Sequence, residues 1–373
     1  MAVDAEVIGR RLAEARDRAG LTQAELADRI ALARSSLAKI EGGSRRVTAI
    51  ELARLAEELG TRIEWFLEDA PKAIVSRRNA QDPGAPSPEI DLMIERVARA
   101  VEFVSEHSKS LQLSDSPERA MPRDRHEAEE LAESARAMLG VHQEGVLTNL
   151  VEGFADLGLL SFSFDLGRES ADAAMILLRS GGVAIINGDR RVGRRRLALA
   201  HELGHFLVAD EYYVDWRVAE TPDTERREGL LDHFARALLL PRGSMEKDWR
   251  RFNSGPEGGL RAAAVRMASI YRVDMATLAR RLRELEIVGS TDARKIREVR
   301  TTRVDIVDFG LVVARDELAS PVLPLAFERA VLGLYRDEII SSARAMDLFF
   351  GTWEEGALPP LDPRAEGEIW QFV

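Results

Sequence analysis

The strongest constraint on this 373-residue chain is the run His201-Glu202-Leu203-Gly204-His205, preceded by Arg194-Arg195-Arg196-Leu197-Ala198-Leu199-Ala200 and followed by Phe206-Leu207-Val208. An α-helix turns about 100° per residue, so residues four apart lie nearly above one another and His201 and His205 can aim their imidazoles at one point. Neutral imidazole suits zinc, which in a catalytic site keeps three protein ligands and one water. Glu202 sits beside the first histidine, where a carboxylate can take a proton from a water whose pKa the metal has lowered. With six histidines in the chain, a chance occurrence of the pattern is expected in roughly one chain in a hundred of this length. The flanks are apolar nearly all round, as for a helix buried in a domain, where a bare ionisable cluster is costly without a metal. The segment therefore predicts a buried helix carrying half of a metal site.

Composition narrows the rest. A chain of this length holds about two or three domains, and 45% apolar residues are ample for real cores. No run approaches the length of a membrane span, and no charged-then-apolar leader opens the sequence, so no membrane partner is expected and the cytoplasm is the expected compartment. Cysteine is absent, which removes a disulfide framework and thiolate metal sites. The net charge of -11 argues against general nucleic-acid affinity. DNA binding would need a local basic patch.

Residues 6–69 read as a bundle of short helices. Val7, Leu12 and Ala15 mark one helical face, and Gly20 ends that segment. Thr22-Gln23-Ala24-Glu25 and Thr48-Ala49-Ile50-Glu51 each form a capping box, in which threonine and the glutamate three later satisfy the free amides of a new helix. Between them Ala33 to Gly42 makes a short helix with Leu37 and Ile40 inward, ended by Gly42-Gly43. Residues 1–70 hold 11 basic and 13 acidic side chains, yet from Asp28 to Arg46 five cations, Arg29, Arg34, Lys39, Arg45 and Arg46, face only Asp28 and Glu41. That is the local patch the global charge demanded.

The stretch from Leu21 to Leu67 resembles the helix-turn-helix of the Xre/Cro/lambda-repressor family. The resemblance implies that the second helix crosses the DNA backbone and the third enters the major groove. By position it implies that Gln23 touches phosphate, that Arg34, Ser35, Ser36 and Lys39 face base edges or backbone, and that Arg45 and Arg46 hold the strand beyond. Operator DNA is then a partner. Ala31 stands where that family often has glycine, and Ala33 and Ala38 offer little base-reading chemistry. A bundle serving protein contacts alone is the competing reading.

Asn79 to Pro88 reads as a linker by its proline and glycine content. Pro88 then opens a helix with Ile90, Met93, Ile94, Val97, Val101 and Val104 on one stripe. The stripe packs on this chain or pairs with a second copy, and domains of this kind usually pair on two-fold operators, so a homodimer stays open. Ser114 to Asp124 reads as a second loop.

From His126 a helix over 127–139, a helix over 147–157 and three strands, Leu159–Phe164, Ala174–Leu178 and Val183–Ile186, lead to the motif. An exposed edge strand there could hold a peptide extended across the metal. After the motif, Glu228 to Pro241 forms a second helix ended by proline. Glu228 and Asp232 lie one turn apart with His233 beside them, and any of the three could complete the site. Tyr212 and Tyr213 could offer a phenol to an oxyanion, although packing is the commoner role of such a pair.

The segments RRRLALAHELGHFL and EGLLDHFARALLLP together resemble the ImmA/IrrE metallopeptidase family over residues 126–288, with 265–287 similar to its closing helices. The resemblance implies Zn²⁺ held by His201, His205 and Glu228, with Glu202 as the catalytic base. Asp232 replaces a neutral amide of the family pattern and is an alternative ligand, or a group that orients His201 or His205. Leu231 replaces a small alanine, and Gly229 loosens the helix start. Manganese or iron would also suit these donors. His233 reads as a neighbour, and His107, His126 and His142 lie far from the motif.

The expected fold is mainly α with a small β-sheet (α+β). It comprises an N-terminal helix-turn-helix bundle (1–70), a linker with an amphipathic helix (71–125), a zincin-like metallopeptidase core (126–288) and a helical C-terminal extension (289–373). In that extension 304–313 reads as a strand pair or buried run, and 326–334 and 339–350 as helices. The resemblance implies a DNA-binding regulator that cleaves a protein substrate, a repressor or antitoxin or itself, in a stress, phage or mobile-element response. The competing readings are a transcription factor whose zinc fold only senses a ligand or metal, and an antitoxin-like binding module.

Overall fold

The computed structural model describes residues 4–19, 21–59, 63, 66, 75–78, 88–142, 144–168, 170–209, 222–255, 258–312 and 316–361. The chain divides into two compact units, Met1–Ala73 with Pro86–Leu92, and Ile74–Ala85 with Met93–Val373.

The first unit is built from α1 (Ala5–Arg18), α2 (Gln23–Arg29), α3 (Arg34–Glu41) and α4 (Ala49–Glu58). Both predicted capping boxes form. Thr22 Oγ1 accepts from the Glu25 amide while Glu25 accepts from the Thr22 amide at 2.7 Å, and Thr48 and Glu51 repeat the exchange. Leu12, Leu26, Leu37, Leu55 and Phe66 are fully buried and form its core. Helix α1 approaches α3 so closely that a Cβ on Gly9 would stand 2.3 Å from the Ile40 carbonyl oxygen. The turn between α2 and α3 places Ala31 at φ 54. This is the left-handed region, in which an alanine costs about 1 kcal/mol over glycine.

In the second unit four strands, β1 (Val75–Arg78), β2 (Leu159–Phe164), β3 (Ala173–Leu177) and β4 (Gly182–Asn187), form one sheet in the order β1-β3-β4-β2. Strand β3 is antiparallel to both neighbours, whereas β4 and β2 run parallel. Every residue of β2 and β4 is buried, which explains their unbroken apolar reading. Helix α5 (Pro88–His107), which belongs to this unit from Met93 onward, buries Ile94, Val97, Val101 and Val104 completely. Helices α6 (Arg125–Met138) and α7 (Leu150–Asp156) precede the sheet, and α8 (Val192–Leu207) lies across it. Then follow α9 (Pro222–Leu239), α10 (Arg242–Asn253), α11 (Leu260–Tyr271), α12 (Met275–Glu284), α13 (Ser290–Glu298), α14 (Arg303–Asp308), α15 (Leu325–Arg336) and α16 (Ser342–Leu348).

Helix α8 is seated by contacts that its own propensity would not supply. Its first five residues include Arg194, Arg195 and Arg196, the wrong sign for a helix N-terminus. Each finds an acceptor: Arg194 donates to Asp172 at 2.8 Å, Arg195 to the Gly188 carbonyl at 2.8 Å, and Arg196 to Glu317 and to the Leu147 carbonyl. Gly193 lets the helix start touch the Val273–Asp274 backbone, where a Cβ would lie 2.3 Å from the Asp274 nitrogen. A single apolar core then joins α8 to the sheet and to α6 through α13.

The structure departs from the sequence reading in several places. The segment read as a linker with an amphipathic helix, 71–125, also contributes β1, a fourth strand that no local pattern announces because its partner is a hundred residues away. Helix α7 begins at Leu150 rather than 147, and α9 begins at Pro222, so Gly229 is interior to the helix and does not loosen its start. The edges of the sheet are β1, which pairs along β3, and β2, whose outer side makes one bridge to Val322 through Ser163. Of the stretch 304–313, the described residues 304–312 form neither a strand pair nor a buried run: α14 leaves Val304 and Val307 65% and 70% exposed. The α5 stripe from Ile94 to Val104 is buried within one chain, with α16 joined to the same helix by an Arg96–Asp347 ion pair of 3.0 Å. It therefore offers no free surface to a second copy. Among the described residues no helix is long and apolar enough to cross a membrane.

Candidate metal centre

Helix α8 stacks His201 over His205, each 2% exposed, and the facing helix α9 brings up Glu228. His201 Nε2 lies 3.1 Å from His205 Nε2 and 3.0 Å from Glu228 Oε2, and His205 Nε2 lies 3.4 Å from Glu228 Oε1. Two ligands, each about 2.05 Å from a tetrahedral ion, stand about 3.3 Å apart. The two imidazole nitrogens stand near that separation, and the Glu228 carboxylate turns one oxygen to each of them at a similar distance. Among the described residues this is the group of histidine and carboxylate side chains placed to hold a metal ion. The donor set fits a cation of the borderline-soft, imidazole-preferring kind.

The electrostatics point the same way. Burial opposes a charge on His201, but its hydrogen bonds to the Asp232 and Glu228 carboxylates override it and hold its pKa up at about 9. Burial likewise opposes ionisation of Glu228, yet the His205 charge and the His201 hydrogen bond keep its carboxyl well below the ordinary value. The pocket therefore favours positive charge at the point where the three side chains meet.

Of the three third-ligand candidates, Glu228 faces both imidazoles, whereas Asp232 stands behind His201. Its Oδ1 lies 3.1 Å from His201 Nδ1, on the ring edge away from Glu228. That separates the roles by geometry: Nε2 turns to the donor cluster, and Nδ1 turns to a carboxylate that fixes the ring and its tautomer. His233 points elsewhere and meets Glu129 at 2.7 Å. Glu202 is completely buried in mid-helix. Tyr212 and Tyr213 lie outside the described residues. His107, His126 and His142 take no part, being engaged with the Phe103 carbonyl, Glu130 and the Glu144 amide.

Sequence reasoning missed the charged assembly that backs the centre. Arg236 lies 3.8 Å from Asp232 and donates to Glu284 at 2.9 and 3.0 Å. Glu284 faces His233, which bonds Glu129, and Glu129 accepts from the fully buried Arg281. Burial raises the carboxyl pKa of Glu129 and of Glu284, but their cationic partners pull both down to about 2. Arg236 and Arg281 look in sequence like polar punctuation of apolar helices, and nothing local marks them as buried. Gly204 is the other silent contributor. A Cβ there would stand 3.0 Å from Phe234 Cδ1 and 3.2 Å from Leu231 Cδ2, so the bare backbone lets α9 come close enough to bring Glu228 into reach.

In the first unit Arg34, Ser35, Lys39 and Arg46 are exposed along α3 and the turn after it, and Ser36 is half-buried. Gln23 donates to Glu41 at 2.7 Å, and Arg45 pairs with Glu51 at 2.7 Å. Those two are held within the unit, whereas Arg34 and Lys39 project from it.

Residues 159–283 match the peptidase-family model of the IrrE N-terminal-like domain, and residues 12–66 match a helix-turn-helix model. The first match runs from β2 to α12 and so contains the sheet, His201, Glu202, His205, Glu228 and Asp232. No curated protein and no solved structure matches the chain. The chain thus joins a helix-turn-helix segment, of a kind found in DNA-binding regulators, to a metallopeptidase-like segment of a family that works with a metal.

Proposed function

We propose that the protein is a DNA-binding regulator whose second unit is a zinc-dependent, site-specific endopeptidase. The reading rests on one observation above all, the spacing of His201 Nε2, His205 Nε2 and Glu228 at 3.0 to 3.4 Å, near that of donors about a tetrahedral ion. These three residues hold Zn²⁺, and Asp232 orients His201 from behind. Bound there, the ion supplies Lewis-acid polarisation of the scissile carbonyl and an acidified water. Glu202, buried beside His201, takes the proton of the attacking water and returns it to the leaving amine. The substrate is a protein, a repressor, an antitoxin or the chain itself.

On the DNA side Arg34, Ser35, Ser36 and Lys39 meet base edges and backbone, and Gln23 and Arg45 meet phosphate. The last two must first exchange Glu41 and Glu51 for the nucleic acid. The test is elemental analysis of purified protein beside its Glu228→Ala and Asp232→Ala variants. About one zinc per chain is expected for the parent and none for Glu228→Ala, whereas Asp232→Ala binds roughly 10- to 100-fold more weakly. Full metal content in Glu228→Ala would remove the ligand assignment. Glu202→Gln is expected to keep zinc and DNA binding while slowing cleavage by about 10² to 10⁴.

A further inference from the structure

The sheet has a fourth strand that sequence reading does not explain, and its position beside α8 bears on what the peptidase cuts. A peptide bound in extended form adds to a sheet by hydrogen bonding along an edge strand. One side of β3 is taken by β4, and the other side by β1, residues Val75-Ser76-Arg77-Arg78 of the chain itself. The pairing is antiparallel, with Val75 opposite Ile176, Ser76 opposite Met175, Arg77 opposite Ala174 and Arg78 opposite Ala173.

Two contacts fix how β3 lies along the motif helix. At one end Asp172, the residue before β3, accepts from Arg194 of α8 at 2.8 Å. At the other, Gly182, the register partner of Leu177, lies under Phe206, whose Cδ2 is 3.0 Å from the place of a Cβ there. Arg194 to Phe206 is about 18 Å of helix at 1.5 Å per residue. Asp172 to Leu177 is about 17 Å of strand at 3.3 Å per residue. The two segments cover nearly equal lengths, so His201 falls level with Met175 and His205 between Ile176 and Leu177. Ser76 pairs with Met175 and Val75 with Ile176. Helix α8 packs against β1 as well as β3.

We propose that residues 75–78 occupy the peptide strand of the metal centre and that the peptidase cuts its own backbone within them. The proposal rests on the endopeptidase reading above. The step is hydrolysis: one peptide C–N bond breaks, water gives its hydroxyl to the carbonyl carbon, and its proton passes by way of Glu202 to the new amine. The cut leaves the helix-turn-helix segment, residues 12–66, and the metal centre on separate chains. Substrates taken in trans are extended peptides that displace the same strand.

The experiment follows the full chain by intact mass at two protein concentrations tenfold apart, after Zn²⁺ is added to chelator-treated protein. It is run beside Glu202→Gln and a Ser76→Pro/Arg77→Pro variant, whose backbone cannot complete the pairing. A synthetic peptide of residues 71–82 is offered to each in trans. The parent is expected to yield two fragments that meet within 75–78 and together equal the chain plus one water, at a rate independent of concentration. Glu202→Gln stays whole. The proline variant loses self-cleavage at least tenfold but cuts the added peptide faster than the parent does. Cleavage of chain or peptide only outside 75–78, or undiminished self-cleavage in the proline variant, overturns the proposal and leaves the peptidase reading standing. If zinc binds and no form cuts chain or peptide, the endopeptidase reading itself fails.

Discussion

The two units treat charge in opposite ways. In the helix-turn-helix unit the side chains proposed to act, Arg34, Ser35 and Lys39, stand exposed on α3, over an apolar core edged by the Arg16–Glu41 ion pair. In the peptidase-like unit most of the acting residues are buried: His201 and His205 are 2% exposed, Glu202 is fully buried, and Arg236, Arg281, Glu284 and His233 are buried behind them, while Glu228 and Asp232 leave 37% and 34% of their side chains open. A surface that meets DNA phosphate works by long-range attraction in water and needs little preorganisation. A site that moves a proton at a carbonyl works in a low dielectric, where every charge must have a partner before the substrate arrives. Mutations of equal chemical size therefore have unequal consequences in the two halves.

The largest expected effect is at the centre itself. His201→Ala with His205→Ala removes two of three donors, and metal content is expected to fall from about one per chain to none. Amide exchange across residues 5–58 is expected to stay unchanged. Loss of protection there as well would mean that the metal stabilises both units and would dissolve the contrast.

Next comes Arg281→Met. It strands Glu129 without its main cation while leaving the shape nearly intact, and breaking such a buried pair costs about 3 to 5 kcal/mol. The loss is read as a lower urea midpoint for exchange in α6 and α12. A change below about 1 kcal/mol would show that Glu129 escapes to solvent and that the assembly is not rigid.

Titration of the same assembly gives a smaller and graded effect. Glu129 and Glu284 hold pKa values of about 2 against an ordinary 4.5, so their contribution is complete above 4.5 and is lost as pH falls toward 2. Burial disfavours the His233 charge, but Glu129 and Glu284 override it and raise its pKa above the ordinary 6.5, so its contribution is complete below 6.5 and is lost as pH rises through the folded value. The second unit is therefore expected to be most stable between about 4.5 and 6.5 with respect to these groups. Glu129→Gln should flatten both limbs in a pH series of melting temperatures. An unchanged profile would assign the dependence elsewhere.

The smallest structural effect belongs to Arg34→Ala with Lys39→Ala. Both are exposed on α3, so stability should change by no more than about 0.5 kcal/mol. The salt dependence of DNA affinity should nonetheless fall by about 0.9 for each phosphate no longer neutralised, or about 2 in slope. An unaltered slope would return the first unit to a role in binding protein.

The legible parts share a cause. Capping boxes at Thr22 and Thr48, the buried faces of α3 and α5, and strands β2 to β4 depend on neighbours within a few residues, and so did the stacking of His201 over His205. Ala31 was legible too, as a departure from glycine in a turn that does hold a left-handed residue. Strand β1 was not, because four residues beside a proline-rich stretch become a strand only when β3 supplies the hydrogen bonds. Helix α14 was misread for the opposite reason. Val304 and Val307 suggest burial, yet both lie in solvent, and a capping box from Thr302 to Asp305 decides the local structure.

By itself, then, the sequence determined a helix that stacks two imidazoles around a buried acid, and a separate set of short capped helices bearing a basic face. Both follow from the helical repeat and from local hydrogen bonds, which need no partner from afar. Long-range packing set Glu228 against both imidazoles and Asp232 behind one. These two carboxylates, on a later helix, reach the motif only because Gly204 lets α9 pack close to α8. It alone also lined the centre with Arg236, Glu284, His233 and Glu129, since a charge can be buried only where the fold has already placed its counter-charge.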